Sequence, residues 1–276
     1  MSDLYPAISI IVPCYNQAQY LPETLQTVLE QAYANWECII VNDGSPDNTE
    51  EVALEWCGKD DRFKYLKKEN GGLSDARNYG IKHSLGKYIL PLDSDDKISK
   101  DYTREAIEVL EKDSAIKLVF CRAQLFGGDS QEWELLPYTY ENLLLVRNCI
   151  YCSAIYKRED YNKTVGYNVN MIYGWEDYDF WISLLNKDDK VVKLDKIHFF
   201  YRTKDVSMRT LITKEKEDYL RLQIFKNHQE LYLQYINPIA QFRELKEFKL
   251  IENSLQYRIG GYVLAPFRYI SKIFKK

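Results

Sequence analysis

The sequence predicts an α/β protein in which a mainly parallel central sheet is flanked by helices and followed by a helical C-terminal extension. Two observations support this prediction. From Ile8 to about Asp93, short apolar runs alternate with segments of helical periodicity, and strands that are apolar on both faces are typical of a parallel sheet covered by helices on both sides. From roughly Thr213 onward the pattern is helical throughout.

The first half of the predicted domain contains four strands and three helices. Strands are expected at short runs of branched apolar residues, and helices where apolar residues recur every three or four positions. In chain order these are strand ISIIVP, helix YLPETLQTVLEQAY, strand ECIIVN, helix NTEEVALEWCGK, strand FKYLKK, helix LSDARNYGIKHS and strand KYILPL. Because ligands of open parallel sheets bind beyond the carboxyl ends of the strands, we expect the polar segments after the first, second and fourth strands to lie together.

The second half is less regular. Its predicted elements are helix KDYTREAIEVLEKD, strands IKLVFCRAQLFGG and RNCIYCSAIYKRE, helix GWEDYDFWISLLNK and strand KVVKLDKIHFFYR. Long insertions separate the strands.

Composition excludes some classes of protein. A net charge of -4 and a pI near 5.6 argue against nucleic-acid binding, which needs a basic face. The six cysteines lie mostly in apolar runs, where a free thiol packs as a small hydrophobe, and we expect them to be reduced. Cys149 and Cys152 have CxxC spacing but no second pair, which favours core packing over a zinc site. Without a signal-peptide pattern at the N-terminus, a cytoplasmic protein is expected.

Three carboxylates, Asp93, Asp95 and Asp96, follow the fourth predicted strand. Like charges this close repel unless a cation lies among them or all three face water. Alternate residues of an extended segment share a face, so Asp93 and Asp95 can hold one hard divalent cation. An EF-hand loop is excluded, because Ile98 and Arg104 occupy the positions of its glycine and glutamate. The alternative is that Asp95 or Asp96 caps the next helix.

Two further segments offer ligand-binding groups. The Asp43 carboxylate, at the end of the second predicted strand, is placed to accept a hydrogen bond from a base or sugar, or else belongs to an ordinary Asp-Gly turn. In GGLSDARNYG the glycines allow a diphosphate to approach the backbone, with Arg77 in the first helical turn. The alternative there is a plain loop-to-helix junction with an exposed arginine.

The helix predicted for GWEDYDFWISLLNK begins with acidic residues. Aromatic neighbours can raise the pKa of a carboxylate towards the range that suits a general base. Glu176 and Asp179 share a helix face, whereas Asp177 is offset from both. The alternative is an acidic first turn that the helix dipole favours.

Four segments resemble, in the same order, the nucleotide-binding half of family 2 glycosyltransferases, which have the GT-A (Rossmann-like) fold. These are ISIIVPCYNQAQYLPETLQTVLEQAY, CIIVNDGSPDNTEEV, NGGLSDARNYGI and GKYILPLDSDD, and the resemblance resumes at GWEDYDFWISLL. It implies a GT-A domain at residues 1–212, with the nucleotide-sugar half at about 8–100 and the acceptor half at about 101–212. Residues 213–276 would form the helical extension.

The resemblance also implies which residues bind the donor and a metal ion. The donor-binding set is Pro13, Tyr15, Asn16, Asp43, Gly72, Ser74, Arg77, Asp93 and Ser94. The segment DSD matches the family's DxD motif, in which Asp95 and Asp93 would bind Mn²⁺ or Mg²⁺.

For the acceptor side, the resemblance implies that Asp177 is the catalytic base. Glu176 and Trp175 would support it or bind the acceptor. A later segment is similar to one that closes over the donor diphosphate, with Tyr201, Arg202 and Ser207 as its candidate residues. His198 is a candidate to reach the metal.

These roles together imply an inverting, metal-dependent glycosyltransferase that moves a sugar from a nucleotide-diphosphate donor, expected to be a UDP-sugar, to an acceptor hydroxyl. The acceptor would be a saccharide or lipid-linked molecule in cell-surface polysaccharide or glycolipid assembly. The QxxRW motif and membrane spans of processive synthases are not found in the sequence, which favours transfer of one or a few sugars. One alternative, a sugar nucleotidyltransferase, needs a Gly-rich basic loop where this chain has PCYNQAQY. The other, a non-catalytic sugar-nucleotide-binding protein, would bind donor without turnover.

The C-terminal segment GGYVLAPFRYISKIFKK is basic. It contains four cations and no acid, with apolar residues at helical spacing. Such an element can lie on an anionic bilayer, which predicts a peripheral contact with the inner face of the membrane. The alternative is a helix that packs its apolar side on the domain.

Overall fold

The structure, a computed structural model, describes residues 5–235. The described residues up to Asn227 form one compact unit, and a second begins at His228. The strands are β1 (Ile8–Cys14), β2 (Trp36–Asp43), β3 (Phe63–Lys68), β4 (Tyr88–Pro91), β5 (Lys97–Ile98), β6 (Ile116–Gly127), β7 (Glu132–Trp133), β8 (Ile155–Lys157) and β9 (Lys190–Thr203).

The strands form one mixed sheet in the order β3-β2-β1-β4-β8-β6-β9-β5, with β7 paired to β6. The first four strands in this order are parallel to one another. Strand β8 is antiparallel to both β4 and β6, whereas the long strands β6 and β9 are parallel. The prediction of a mainly parallel α/β sheet is therefore confirmed.

Helices flank this sheet where helical periodicity predicted them. They are α1 (Leu21–Leu29), α2 (Thr49–Lys59), α3 (Leu73–Lys82), α4 (Tyr102–Lys112), α5 (Tyr140–Leu145), α6 (Arg158–Tyr161), α7 (Glu176–Leu184), α8 (Lys214–Asn227) and α9 (Gln229–Tyr235). Helix α4 illustrates the cause: its buried apolar residues Tyr102, Ala106, Ile107 and Leu110 recur at the spacing that places them on one face.

Helix α3 lies very close to β1 and β2, because Gly80 has no side chain. A Cβ at Gly80 would lie 2.7 Å from Ile11 Cγ2 and 2.9 Å from Val41 Cγ2, distances at which one of the groups would have to move. The contact fixes α3 against the two strands whose C-terminal ends border the candidate site.

The segment RNCIYCSAIYKRE differs from the prediction. Of the long strand expected here, only Ile155–Lys157 is a strand. Upstream, Asn148 Oδ1 accepts a hydrogen bond from the Ile150 N–H at 3.1 Å, a local side-chain bond that turns the backbone in place of a ladder. The cysteines here are free, as are the other four.

The helices predicted after Thr213 are present as α8 and α9. Leu220 and Ile224 of α8 are buried. The boundary predicted at residues 212 and 213 stays a prediction. No helix within residues 5–235 has the length and apolar character to span a bilayer, and the basic C-terminal segment lies outside the described residues.

Candidate functional site

A cleft of about 620 Å³ lies at the carboxyl ends of β1, β2 and β4. The three polar segments expected there do meet, since Cys14, Asp43 and Asp93 all line it. Twelve of the predicted site residues line this cleft: Pro13, Tyr15, Asp43, Gly72, Asp93, Ser94, Asp95, Trp175, Glu176, Asp177, Tyr201 and Ser207. Four do not: Asn16, Ser74, Arg77 and Arg202.

The buried Asp43 carboxylate organises the glycine loop before α3. Its Oδ1 accepts hydrogen bonds from Lys68 Nζ at 2.6 Å and the Gly71 N–H at 2.9 Å, and its Oδ2 accepts one from the Gly72 N–H at 2.9 Å. Asn70 Nδ2 donates to the Asp43 carbonyl at 2.9 Å. Two carboxylate oxygens offer about four acceptor positions, so about one, on Oδ2, is open to a ligand.

Asn16 and Ser74 do not line the cleft. Asn16 has a left-handed backbone (φ 54°), and its N–H donates to Ser45 Oγ at 3.2 Å. Ser74 Oγ is buried, and no partner is described for it. The predicted donor contacts of Asn16 and Ser74 stay predictions.

Arg77 joins the two acidic motifs. Its guanidinium, 0% exposed, donates from Nη2 to Asp93 Oδ1 and from Nη1 to Glu176 Oε1, each at 2.6 Å. Burial alone would lower the Arg77 pKa, but the charges of Asp93 and Glu176 outweigh it and raise the pKa. The predicted contact of Arg77 with a diphosphate stays a prediction, because this side chain connects carboxylates beneath the cleft wall.

Two carboxylates of the segment after β4, Asp95 and Asp96, have different partners. Asp95 Oδ2 accepts from Lys204 Nζ at 2.5 Å, and burial together with the neighbouring Asp93 charge raises the Asp95 pKa. Asp96 is buried, its Oδ1 accepts from the Arg202 N–H at 2.8 Å, and its Oδ2 has no partner among residues 5–235. Burial raises the Asp96 pKa as well.

The carboxylates after β4, here called the acidic cluster (Asp93, Asp95 and Asp96), fit a divalent cation. Asp93, Asp95 and Asp96 lie within four consecutive residues after β4, and carboxylate oxygens are donors that suit Mg²⁺ or Mn²⁺. Within the described chain, Asp93, Asp96 and Cys152 place one potential ligand atom each within 4.8 Å of the others, with Cys152 Sγ 3.9 Å from Asp93 Oδ2. The predicted ligands Asp93 and Asp95 both line the cleft. Asp93 is therefore common to the predicted pair of ligands and to the group Asp93, Asp96 and Cys152.

Helix α7 brings its acidic first turn to the cleft through a left-handed entry. Gly174 has φ 111° and Trp175 has φ 60°, a conformation that is rare for a bulky residue and concentrates at functional sites. Asp177 Oδ2 accepts from Asn148 Nδ2 at 3.0 Å, and its Oδ1 accepts from the Tyr178 N–H at 2.8 Å. Burial and the adjacent Glu176 charge raise the Asp177 pKa to about 7.

The end of β9 and the following loop form another wall. Tyr201 and Ser207 line the cleft, while the Arg202 guanidinium turns away, donating to Glu23 and to the Asp95 carbonyl. His198 does not line the cleft: Nδ1 pairs with Ser99 Oγ at 2.5 Å and Nε2 with Glu105 at 3.2 Å. Both ring nitrogens are therefore engaged away from the acidic cluster.

Sequence patterns did not single out four residues that line the cleft, Gln17, Asn148, Cys152 and Lys204. The last three contact Asp177, Asp93 and Asp95, respectively. Asn148 and Lys204 reach their partners across 29 and 109 residues. The position of Gln17 in a loop after a strand was a usable signal; for Asn148 the sequence held none.

Comparison with known proteins agrees with this geometry. The family model described as "Glycosyl transferase family 2" matches residues 9–174. An uncharacterized glycosyltransferase of Rickettsia prowazekii is 34% identical over 209 residues, 70% of this chain and 64% of that protein. The minor teichoic acid biosynthesis protein GgaB of Bacillus subtilis is 27% identical over 255 residues, 83% of this chain and 28% of that protein.

Among solved structures, that of S. aureus TarS residues 1–349 in complex with UDP-GlcNAc has the same fold, with a TM-score of 0.63 and 20% identity. The match covers 80% of this chain and 66% of that one. The chain spans from about a third to about two thirds of the first curated relatives it matches. Because the family model matches more than half of its residues, the chain belongs to glycosyl transferase family 2, as the sequence motifs predicted, and it has the GT-A fold.

Proposed function

We propose that the protein is an inverting, metal-dependent glycosyltransferase that moves a sugar from a nucleotide-diphosphate donor, a UDP-sugar, to an acceptor hydroxyl. The observation that carries the proposal is one cleft that contains both the DxD carboxylates after β4 and Asp177 at the start of α7. Charge stabilisation and proton removal are the two needs of such a transfer, and the cleft offers a group for each.

The donor side is formed by the ends of β1, β2 and β4. Pro13 and Tyr15 would border the base, Asp43 would accept one hydrogen bond from it, and Gly72 would allow the diphosphate close to the backbone at the start of α3. Asp93 and Asp95 would hold Mn²⁺ or Mg²⁺, which when bound supplies positive charge for the departing diphosphate.

The acceptor side is formed by α7. Asp177 would take the proton of the acceptor hydroxyl, whose oxygen then attacks the anomeric carbon on the face opposite the nucleotide, with inversion. A pKa raised to about 7 lets this carboxylate accept a proton near neutral pH. Glu176, ion-paired with Arg77, would hold the start of α7 in place, and Trp175 would contact the acceptor.

The acceptor class is proposed from the relatives. GgaB is named for minor teichoic acid biosynthesis, and TarS was solved with UDP-GlcNAc, which supports a UDP-sugar donor and an acceptor in cell-surface polysaccharide or glycolipid assembly. A peripheral position at the inner face of the membrane would bring the enzyme to a lipid-linked acceptor.

Calorimetric titration with UDP, dTDP, GDP and CMP, each with and without Mn²⁺, tests the donor site. We expect UDP to bind in the presence of Mn²⁺ and to lose most of its affinity when EDTA removes the metal. Binding of no nucleotide by the folded protein would contradict the proposal. Equal binding with and without metal would contradict its metal-dependent part.

The pH dependence of transfer tests the role of Asp177. A base acts only when deprotonated, so kcat should rise with pH through an apparent pKa of about 7 and fall tenfold for each further unit of acid. The measurement is kcat between pH 5 and 9 at saturating donor and acceptor. A kcat that stays constant from pH 5 to 7 would contradict this assignment.

A further inference from the structure

Lys204 is the first residue after β9, and its ammonium forms an ion pair with Asp95, one of the proposed metal ligands. Its Nζ is 2.5 Å from Asp95 Oδ2 and 3.1 Å from Gln17 Oε1. The pair is largely shielded, with side chains 17% and 19% exposed. Nζ also lies 5.0 Å from the centre of the Tyr20 ring, so the ammonium occupies a defined position in the cleft.

An ammonium and a divalent cation cannot both occupy this position. A cation bound by Asp95 would lie close to Nζ, and like charges at such a distance repel strongly in a partly buried site. Arg77 already pairs with Asp93, and Lys204 adds a positive charge directly on the Asp95 carboxylate. A metal that binds Asp95 through Oδ2 would therefore displace Lys204 from this oxygen.

The proposed anionic partner of a displaced ammonium would lie in the same cleft. Lys204 begins the β9–α8 loop, residues 204–213, which consists of turns and bends and lines the cleft with Lys204, Ser207 and Arg209. Lys204 and Asp95 line the same cleft as the glycine loop before α3, where the proposed diphosphate would lie. A donor diphosphate would add the negative charge that an ammonium leaving Asp95 needs.

We propose that Lys204 is an exchanging counter-ion and donor-binding residue. It neutralises Asp95 in the metal-free protein, gives this carboxylate to the divalent cation, and then binds the diphosphate oxygens of the donor. This inference rests on the proposed function. Lys204 would compete with the metal for Asp95 before the donor binds, and afterwards both cations would bind the donor diphosphate.

Lys204→Met tests both halves with opposite signs. Without nucleotide, the variant should bind Mn²⁺ about fivefold more tightly, because the competing ion pair is gone. At saturating Mn²⁺, it should bind UDP about tenfold more weakly, because a charge-assisted hydrogen bond is lost. Free Mn²⁺ is followed by electron paramagnetic resonance, and UDP binding by calorimetry.

Two variants serve as controls. Lys67→Met removes an equal charge from the exposed pair with Glu50, outside the cleft lining, and should change neither affinity. Lys204→Arg keeps the charge and should stay within about twofold of wild type for Mn²⁺. Thermal unfolding of each variant confirms that it is folded.

The outcomes separate this inference from the proposed function. Unchanged or weaker Mn²⁺ binding by Lys204→Met would overturn the competition, and unchanged UDP binding would overturn the contact with the diphosphate. If wild-type protein binds neither Mn²⁺ nor UDP, the proposed function fails and this inference fails with it. Opposite changes in the two affinities would support the exchange.

Discussion

Asp177→Asn is expected to lower the rate of sugar transfer by about a thousandfold. The amide keeps the shape of the side chain but cannot take a proton from the acceptor hydroxyl. Because Asp177 is proposed to act on the acceptor and not on the donor or the metal, metal-dependent binding of UDP should stay close to that of wild type. The measurements are single-turnover transfer and calorimetric titration of the same preparations.

Two comparisons make this result specific. Asp188→Asn changes an exposed acid just after α7 and should leave transfer unchanged. Asp95→Ala should also abolish transfer but, unlike Asp177→Asn, should weaken nucleotide binding in the presence of Mn²⁺. An equal loss of donor affinity in Asp95→Ala and Asp177→Asn would contradict the separate roles proposed for these two carboxylates.

Arg77→Met is expected to destabilise the fold by about 3–5 kcal/mol. The substitution leaves Asp93 and the 7% exposed Glu176 without their shared cation, and an uncompensated buried charge is costly to keep in the folded state. We expect a lower midpoint of urea unfolding and an unchanged m value, the slope of the free energy of unfolding against urea concentration.

We expect this large loss of stability because the Arg77 ion pairs are buried. An arginine whose ion pairs lie nearer the surface provides the comparison. Arg104 also contacts several carboxylates, Asp101, Glu105 and Glu108, but its side chain is 40% exposed, so Arg104→Met should unfold close to wild type. If Arg77→Met does not fold, Arg77→Lys, which keeps the charge and loses one of the two contacts, should give an intermediate midpoint. A wild-type midpoint for Arg77→Lys would show that the double contact contributes little.

The architecture was predictable where one local cause determined each element. Strands β1, β2 and β4 are buried on both faces and lead into polar segments, and the helices between them follow a single periodicity. The segment around Asn148 was not predictable in this way. Its apolar residues suggested one long strand, whereas a side-chain bond to the Ile150 N–H and the packing of a crowded cleft determined its course.

The candidate site was predictable for residues that follow strands directly and less so for contacts between distant segments. The order of the motifs predicted a common site for Asp43, Asp93 and Asp177, which line one cleft. Sequence gave no sign that Arg77 would join residues 16 positions and 99 positions away along the chain. The pairing of Lys204 with Asp95 was equally hidden, because a lone lysine after a strand is normally solvated.

If the donor binds as proposed, the loop before α3 would affect discrimination among nucleobases. Three donors, from Lys68, Gly71 and Gly72, already occupy the Asp43 carboxylate, so about one acceptor position is left. Uracil and thymine present a single N–H on their pairing edge, whereas guanine presents two adjacent donors. The way the chain folds its own loop would thereby limit which base can be paired, and the affinity order of UDP and GDP would report the state of this carboxylate.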